Sequence, residues 1–508
     1  MCLALGTVVS AVSSLNVALP DVARGLHASQ TELQWMVDAY ALAFAGLLLP
    51  AGALADRLGR RSLLLTGLAL FSAAAAAALF IESAAGLIAV RAVMGLGAAA
   101  IMPATLATIT AVFPGASRDR AVSIWAGVAG GSALAGLLVS GLLLEAFSWQ
   151  SVFALSVVLG LSALAVVARV APESRAERAH LDLIGGVASA LALSSLVFGI
   201  IEGPARGWGD TLTAAAFAVA LACAAGFLAW ELHRPEPLLD PRLFRLRGFT
   251  AGTASILVQF FAFFGFIFVV LQYVQFVLGY SPFEAGLALA PMAVLMMGLS
   301  PRVPRLLGIA GPARLGALGL LSMSAGCLVF SSAGTGSSYW LLLAGIVLLG
   351  TGAALATTPA TAAIVAALPA AKQGVASAVN DAAREVGGAL GIAVLGSALT
   401  DRYQAGVPDH LAGVPAHLLG TSNQALPAAI AVAERLGPKG AALATQAQAA
   451  FVDGFVLAMS IAAAAAFAAA AFVFTLAPAR VEADTAGGDR RVSELPAAAG
   501  AGGEGGGR

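Results

Sequence analysis

Asp38 and Arg91 stand inside long apolar runs, at 33–55 and 84–112, where an isolated charge is expensive and needs either a partner or a task. Both runs are long enough to cross a bilayer as helices. Taken from the outer surface, Asp38 lies about 8 Å beyond Leu33 and Arg91 about 10 Å beyond Ala84, at 1.5 Å per residue. Opposite charges at similar depth could pair. One chemistry is proton exchange, with Asp38 as the protonatable carboxylate and Arg91 setting its affinity and helping to move the proton. The other is a static ion pair that holds two helices together. Arg91 shares its helix face with Gly95, Ala98 and Met102, a surface that admits close helix contact.

The elements that position this pair follow from composition. Of 508 residues, 59% are hydrophobic and 11% charged, against about 25% charged in soluble domains. Mean hydropathy is +0.91. This is an integral membrane protein. Its balance of 27 basic and 27 acidic residues argues against a nucleic-acid partner. Apolar runs of spanning length occur at 1–23, 33–55, 62–82, 84–112, 121–145, 149–171, 182–202, 211–231, 248–278, 283–301, 312–333, 339–366, 376–400 and 451–477. Those fourteen runs must be helices, because only a helix satisfies a lone apolar segment's backbone internally. Met1–Pro20 has no basic lead-in and keeps Asn16 and Pro20 within it, so it is expected to be the first span and not a cleaved signal. Cys2, Cys223 and Cys327 lie in apolar runs without metal spacing and are expected to be small buried hydrophobes.

Charge in the loops sets orientation. Loops after even-numbered runs carry sixteen Lys and Arg residues, from Arg57 to Lys372, whereas the short loops after odd-numbered runs carry only Arg24 and Arg206. Basic loops stay in the cytoplasm, so both termini are expected there, in a cell (inner or plasma) membrane. The segment 401–450, with Pro408, Pro415, Pro427 and Pro438, is then external and has room for a short surface helix. Residues 478–508 are poor in apolar side chains and are expected to be a disordered cytoplasmic tail.

The first basic loop carries the most specific pattern, Gly52-Ala-Leu-Ala-Asp56-Arg57-Leu-Gly59-Arg60-Arg61. It resembles the G-x-L-x-D-R-x-G-R-R/K loop between helices 2 and 3 of major facilitator transporters. Further stretches resemble the fourteen-helix drug:proton antiporter branch of that superfamily. Among them are Leu15-Asn-Val-Ala-Leu-Pro20, Leu33-Gln-Trp-Met-Val-Asp-Ala-Tyr40, Arg91-Ala-Val-Met-Gly95, Ser148-Trp-Gln-Ser-Val-Phe153, Leu181-Asp-Leu-Ile-Gly185, Leu278-Gly-Tyr-Ser-Pro282 and Arg384-Glu-Val-Gly-Gly388. The resemblance implies an all-α membrane protein with the major facilitator fold: two six-helix bundles plus two inserted helices, fourteen transmembrane helices in all. The boundaries follow as an N-terminal bundle 1–171, a two-helix insert 172–247, a C-terminal bundle 248–477 and the tail 478–508. It further implies proton-coupled export of amphipathic drugs, antibiotics or metabolites by alternating access, with a proton-relay arginine at Arg91.

Within the loop, Gly52 and Gly59 permit a tight turn. Asp56 could face a helix N-terminus, and Arg57, Arg60 and Arg61 could hold acidic groups or lipid phosphates. Family resemblance makes these a latch that breaks as the halves rock, and Asp381 and Arg384 of the later half could be its partners. Topology enforcement alone also accounts for the arginines, and Asn380, Asp381, Arg384 and Glu385 open the run 376–400 near the cytoplasm, where the Asp–Arg and Arg–Glu spacings suit local ion pairs. Glu145 and Glu202 lie at external helix ends and are expected to be solvated. Gln259, Phe263, Gln272, Tyr273 and Gln275 could wall a substrate cavity. Equally, the glutamines could bond helix to helix and the rings face lipid. Gly136 and Gly141 retain the small-residue packing of the span-five antiporter pattern, whose proline position is Leu137 and first paired glycine Ser140. An acidic residue common in span one of the drug antiporters is Ala11 here, which weakens the case for cationic drugs.

No G-x-x-x-x-G-K-S/T stretch suggests ATP, and the five histidines lie in loops without ligand spacing. The expected energy source is therefore the proton gradient, with no cofactor, no metal and no catalytic constellation. Partners are a small amphipathic substrate, protons and the lipid bilayer, with a monomer expected. Two rivals remain: an importer or uniporter of a small solute in the same fold, and a membrane-bound sensor or scaffold that does not transport.

Overall fold

Apolar runs without polar backbone partners fold as helices, and the computed structural model contains no strand among its described residues. Those are all residues except 114, 174–181, 235–236, 238, 369–372, 408–414 and 478–508. The order is α1 (Cys2–Leu26), α2 (Gln30–Leu58), α3 (Arg60–Ala78), α4 (Ala84–Val112), α5 (Gly115–Ala146), α6 (Ser151–Val170), α7 (Leu183–Arg206) and α8 (Thr211–His233). There follow α9 (Arg247–Gln272), α10 (Pro282–Leu299), α11 (Val303–Ala310), α12 (Pro312–Phe330), α13 (Tyr339–Ala366), α14 (Gln373–Gly406), α15 (Ala416–Ser422), α16 (Leu426–Leu436) and α17 (Ala441–Leu476). Twelve helices among the described residues are long and apolar enough to cross a membrane. Outside that set, α2 has 29 residues and α5 has 32, so both also have the length.

Local chemistry sets the helix ends. Ser29 and Glu32 form a reciprocal capping box at the start of α2, as do Ser281 and Glu284 at α10. Asp182 accepts from the Gly185 N–H at α7, and Asp210 from the Leu212 and Thr213 N–H groups at α8. Between α2 and α3 the turn is a single residue, Gly59, with φ 113°, a conformation that side-chain-bearing residues rarely adopt. The α9 helix widens at its far end into a π-turn, Tyr273–Val277, closed by the Leu278 N–H on the Tyr273 carbonyl at 3.2 Å. Such a turn corresponds to one extra residue in an α-helix.

Helices α1–α6 pack on one another, and so do α9, α10, α12, α13, α14 and α17. The two groups meet where α2 packs on α14 and α5 on α10, and one hydrophobic cluster runs through both. α7 packs on α8, α2 and α14. By contrast α8 is largely exposed, burying only Thr213, Ala220 and Glu231. The segment after α14 is shorter than expected, because α14 continues to Gly406 and α17 begins at Ala441; the segment holds α15 and α16. Cys327 is buried as expected, whereas Cys2 and Cys223 are only half-buried.

Bonds between helix ends define the two ends of the bundle. Arg60 donates to the Ala107 carbonyl of α4 and Arg61 to the Ala168 carbonyl of α6, so α2, α4 and α6 finish at one end, that of Gly59. Trp35 near the start of α2 donates to Glu202 near the end of α7, and Ser281 before α10 donates to Glu145 at the end of α5. These mark the other end, that of Ser29.

Candidate functional site

Between the two groups of helices lies a cavity of about 270 Å³. Its walls are mainly apolar: Val8 and Val12 of α1, Phe44 of α2, Leu134 and Leu137 of α5, Phe263, Phe264 and Ile267 of α9, and Met292, Met296 and Met297 of α10. Four larger polar groups reach it, Asn16, Tyr40 and Arg91 from one group of helices and Glu385 from the other. That composition suits a bulky, mostly apolar ligand oriented by a few polar contacts.

Arg91 is held rigidly. Only 1% exposed, it donates through Nε to the Met36 carbonyl at 3.1 Å, and its guanidinium lies 4.2 Å from the centroid of the Tyr40 ring. Both Nη atoms lack a protein hydrogen-bond partner, as does Oδ1 of Asn16, another residue of the cavity wall. Stacking fixes the plane of the fork and leaves four N–H groups for something else. Close approach of α4 to α2 makes this possible: a Cβ on Gly95 would come within 2.9 Å of the Ala43 Cβ.

Asp38 is fully buried, and neither carboxylate oxygen has a hydrogen-bond partner. No ion pair joins it to Arg91. Helical spacing explains why. Arg91 meets α2 at Met36 and Tyr40, whereas Asp38 lies midway around the turn, in the row Gln34–Asp38–Leu42. Gln34 donates through Nε2 to the carbonyls of Ile392 (3.3 Å) and Ala393 (3.2 Å) in α14, and Leu42 clusters with Ala389, Ala393 and Val197. Asp38 therefore occupies the seam between α2, α14 and α7. The expected Asp38–Arg91 pair is not formed, because depth matches and azimuth does not.

Of the five expected wall residues, Phe263 lines the cavity and the other four do not. Gln259 donates to Ser255 and accepts from Thr357 Oγ1 at 2.9 Å, a bond from α9 to α13. Gln272 donates to the Phe268 carbonyl of its own helix. Tyr273 stacks on Phe455 at 4.6 Å and donates to the Gly334 carbonyl. Gln275 donates to the Val17 carbonyl of α1 at 3.1 Å. At about a hundred degrees per residue from Phe263, Gln272 and Tyr273 fall on the flank of α9 away from the cavity, and Gln275 lies within the π-turn that follows.

Glu385 is expected near the end of its helix as a local ion-pair member, and the structure places it elsewhere. Since α14 begins at Gln373, Glu385 lies about 18 Å along it at 1.5 Å per residue, deep enough to reach the cavity. The row Glu385, Gly388, Ala389, Ile392 lines the cavity throughout, and that i, i+3, i+4, i+7 spacing is legible in the sequence. Arg384 stacks on Phe260 at 5.2 Å and, among the described residues, forms no ion pair with Asp381.

The arginine-rich turn is anchored within its own group of helices. Beyond the Arg60 and Arg61 bonds, the Arg61 N–H donates to Glu173 Oε1 and the Ser62 hydroxyl to Glu173 Oε2. The surroundings of Gly52 and the side chains of Asp56 and Arg57 lie outside the described residues. A Cβ on Gly136 would lie 2.8 Å from Ser10 Cα in α1, and one on Gly141 2.8 Å from Phe283 Cα in α10. Glu145 is exposed, as expected, and accepts from Ser281 (3.0 Å); Glu202 is half-buried and engaged by Trp35 (2.9 Å) and Arg206 (2.6 Å), contrary to its expected solvation. Among the described residues no cluster of His, Cys, Asp and Glu could hold a metal ion.

Comparison with known proteins fits this geometry. The family model described as Major Facilitator Superfamily matches residues 1–392. The tetracenomycin C resistance and export protein of Streptomyces glaucescens is 35% identical over 80% of this chain and 77% of its own. The multidrug efflux pump LfrA of Mycolicibacterium smegmatis is 36% identical over 90% of this chain and 91% of its own. Among solved structures, an inward-facing bacterial homologue of the human lysosomal transporter Spinster superposes with TM-score 0.64 at 16% identity, covering 94% of this chain and 97% of that one. A D-xylose–proton symporter gives TM-score 0.60 at 16% identity, covering 95% and 98%; both likenesses speak to the fold alone. The chain is thus related to drug and antibiotic efflux pumps, and it belongs to the Major Facilitator Superfamily, a family of transporters and not of enzymes.

Proposed function

We propose that this protein exports amphipathic drugs, antibiotics or metabolites in exchange for protons, by alternating access, as a monomer of the cell membrane. The relatives' named roles in export, resistance and multidrug efflux support the substrate class. In this reading α2 and α5 join the twelve apolar helices as spans, giving fourteen, with α7 and α8 as the insert. The Gly59 end and both termini are cytoplasmic, on the strength of the basic loops.

The observation that carries the proposal is the cavity: apolar walls shared by two helix groups, with Arg91 presented from one and Glu385 from the other. The substrate lies between the Phe and Met side chains, and its polar end reaches the free N–H groups of Arg91. Asp38 and Arg91 take part in proton coupling from separate positions. An ionised carboxylate without a donor in the α2–α14 seam is costly, so the closed seam suits the neutral acid. Release of that proton opens the seam at the outer end, while Arg91 and Glu385 report cavity occupancy. A ligand with equal affinity for both states would drive nothing, so substrate and proton must each favour one. The arginine-rich turn, with Asp56 and Arg57 toward Asp381 and Arg384, latches the cytoplasmic end in the alternate state.

Reconstituted protein tests this directly. An imposed pH gradient should drive uphill movement of a fluorescent amphipath, a protonophore should abolish it, and Asp38→Asn should uncouple it. Dye movement indifferent to the pH gradient would favour the importer or uniporter reading, to which Ala11 in place of an acidic residue lends support.

A further inference from the structure

We propose that the inserted helix α7 is a moving part of the outer gate: it travels with α14 and clasps α2 through a separable bond from Trp35 to Glu202. This rests on the alternating-access reading above. α7 is bonded to both helices at the Ser29 end. Ser397 Oγ of α14 donates to the Ile200 carbonyl at 2.8 Å, and Trp35 Nε1 of α2 donates to Glu202 Oε1 at 2.9 Å. When α2 and α14 part at this end, one of the two bonds must break.

The chemistry of α7 says which. Pro204 lies within α7, four residues after Ile200. Proline has no N–H, so the Ile200 carbonyl lacks its helical donor. The Ser397 hydroxyl supplies the missing donor, and losing it would strand a backbone carbonyl in the membrane. Glu202, by contrast, keeps the Arg206 guanidinium at 2.6 Å after Trp35 departs, and the Arg206 side chain is 46% exposed. The Trp35 bond is therefore the one that opens. Gln34, one residue away, locks the same joint: its amide donates to α14 carbonyls, and Gly396 leaves the space that amide occupies.

The test uses full-length protein with Cys2, Cys223 and Cys327 replaced by serine, and a short bifunctional thiol reagent that reducing agent reverses. Cross-linking Trp35→Cys to Glu202→Cys should abolish proton-driven dye efflux, with recovery on reduction. Cross-linking Leu193→Cys to Leu390→Cys, which belong to the cluster between α7 and α14, should leave efflux intact. Persistent efflux in the first case, or loss in the second, would overturn the proposal. Ser397→Ala should slow efflux about three- to tenfold alone and have little effect in a Pro204→Ala background, where the backbone N–H of the substituted residue restores the donor; equal effects in both backgrounds would also overturn it. If the parent protein moves no dye, the transport reading itself fails. The clasp is then read by labelling Phe263→Cys with an impermeant maleimide from the Ser29 face, which the first cross-link should suppress and the second should not.

Discussion

At the Ser29 end, α2 and α14 are joined by the Gln34 amide, α1 and α9 by Gln275, and α5 and α10 by the Ser281–Glu145 bond. At the Gly59 end, Arg60, Arg61 and Ser62 bind α4, α6 and Glu173, all on their own side of the molecule. The inter-half hydrogen bonds whose two partners are both described thus lie at one end. In the alternating-access cycle proposed above, the bonds at the Ser29 end are those that must be remade. The contrast also separates residues that hold the fold from residues that hold a state.

Substitutions can break or sharpen that contrast. The largest effect is expected between the ends: Arg91→Lys keeps charge but loses the stacked fork, and should lower the initial rate of dye efflux about a hundredfold. Next come two glycines of one helix. Gly136→Leu overpacks against α1 within one group and should cost about 2 kcal/mol in thermal unfolding. Gly141→Leu wedges α5 from α10 across the groups, so it should leave unfolding nearly unchanged and raise labelling of a cavity cysteine from the Ser29 face about tenfold. If both lower stability equally, the distinction between the ends fails. At the Gly59 end, Gly59→Ala forces φ 113° on a residue with a Cβ and should cost about 1–3 kcal/mol, read as a lower unfolding temperature without a change of labelling side. The smallest effect is expected for Gln259→Leu, which removes one α9–α13 bond worth about 0.6 kcal/mol and should leave the substrate profile unchanged in a growth-inhibition panel.

Much of this architecture is legible in the chain, because membrane helices announce themselves by length and apolarity and the arginine-rich turn is specific to its family. Depth is legible too, since residues count off at a constant rise, and on that basis Arg91 falls in the bundle interior, where the structure has it. Azimuth is harder. Asp38 and Arg91 share a depth, yet α2 turns one toward α14 and the other meets its opposite flank, and a helix apolar all round gives no moment to reveal this. Glu385 is nine residues inside the run 376–400, about 14 Å at a constant rise, so its depth is legible, and local charge spacing with Arg384 points away from the cavity it reaches. Gln272 and Tyr273 stand off the cavity because the ordinary wheel of α9 turns them away from Phe263, and Gln275 makes the helix-to-helix bond that the sequence leaves open as the alternative.

That π-turn has a consequence of its own. Removing one residue between Tyr273 and Val277 would restore a regular helix and swing everything beyond it by roughly a hundred degrees. With Val274 removed, Gln275 would forfeit Val17, whereas Tyr273, ahead of the deletion, would keep Gly334. A single-codon deletion there would thus act as a rotary edit of the α9 tip, unfastening the α1–α9 joint without altering one side chain that touches the cavity.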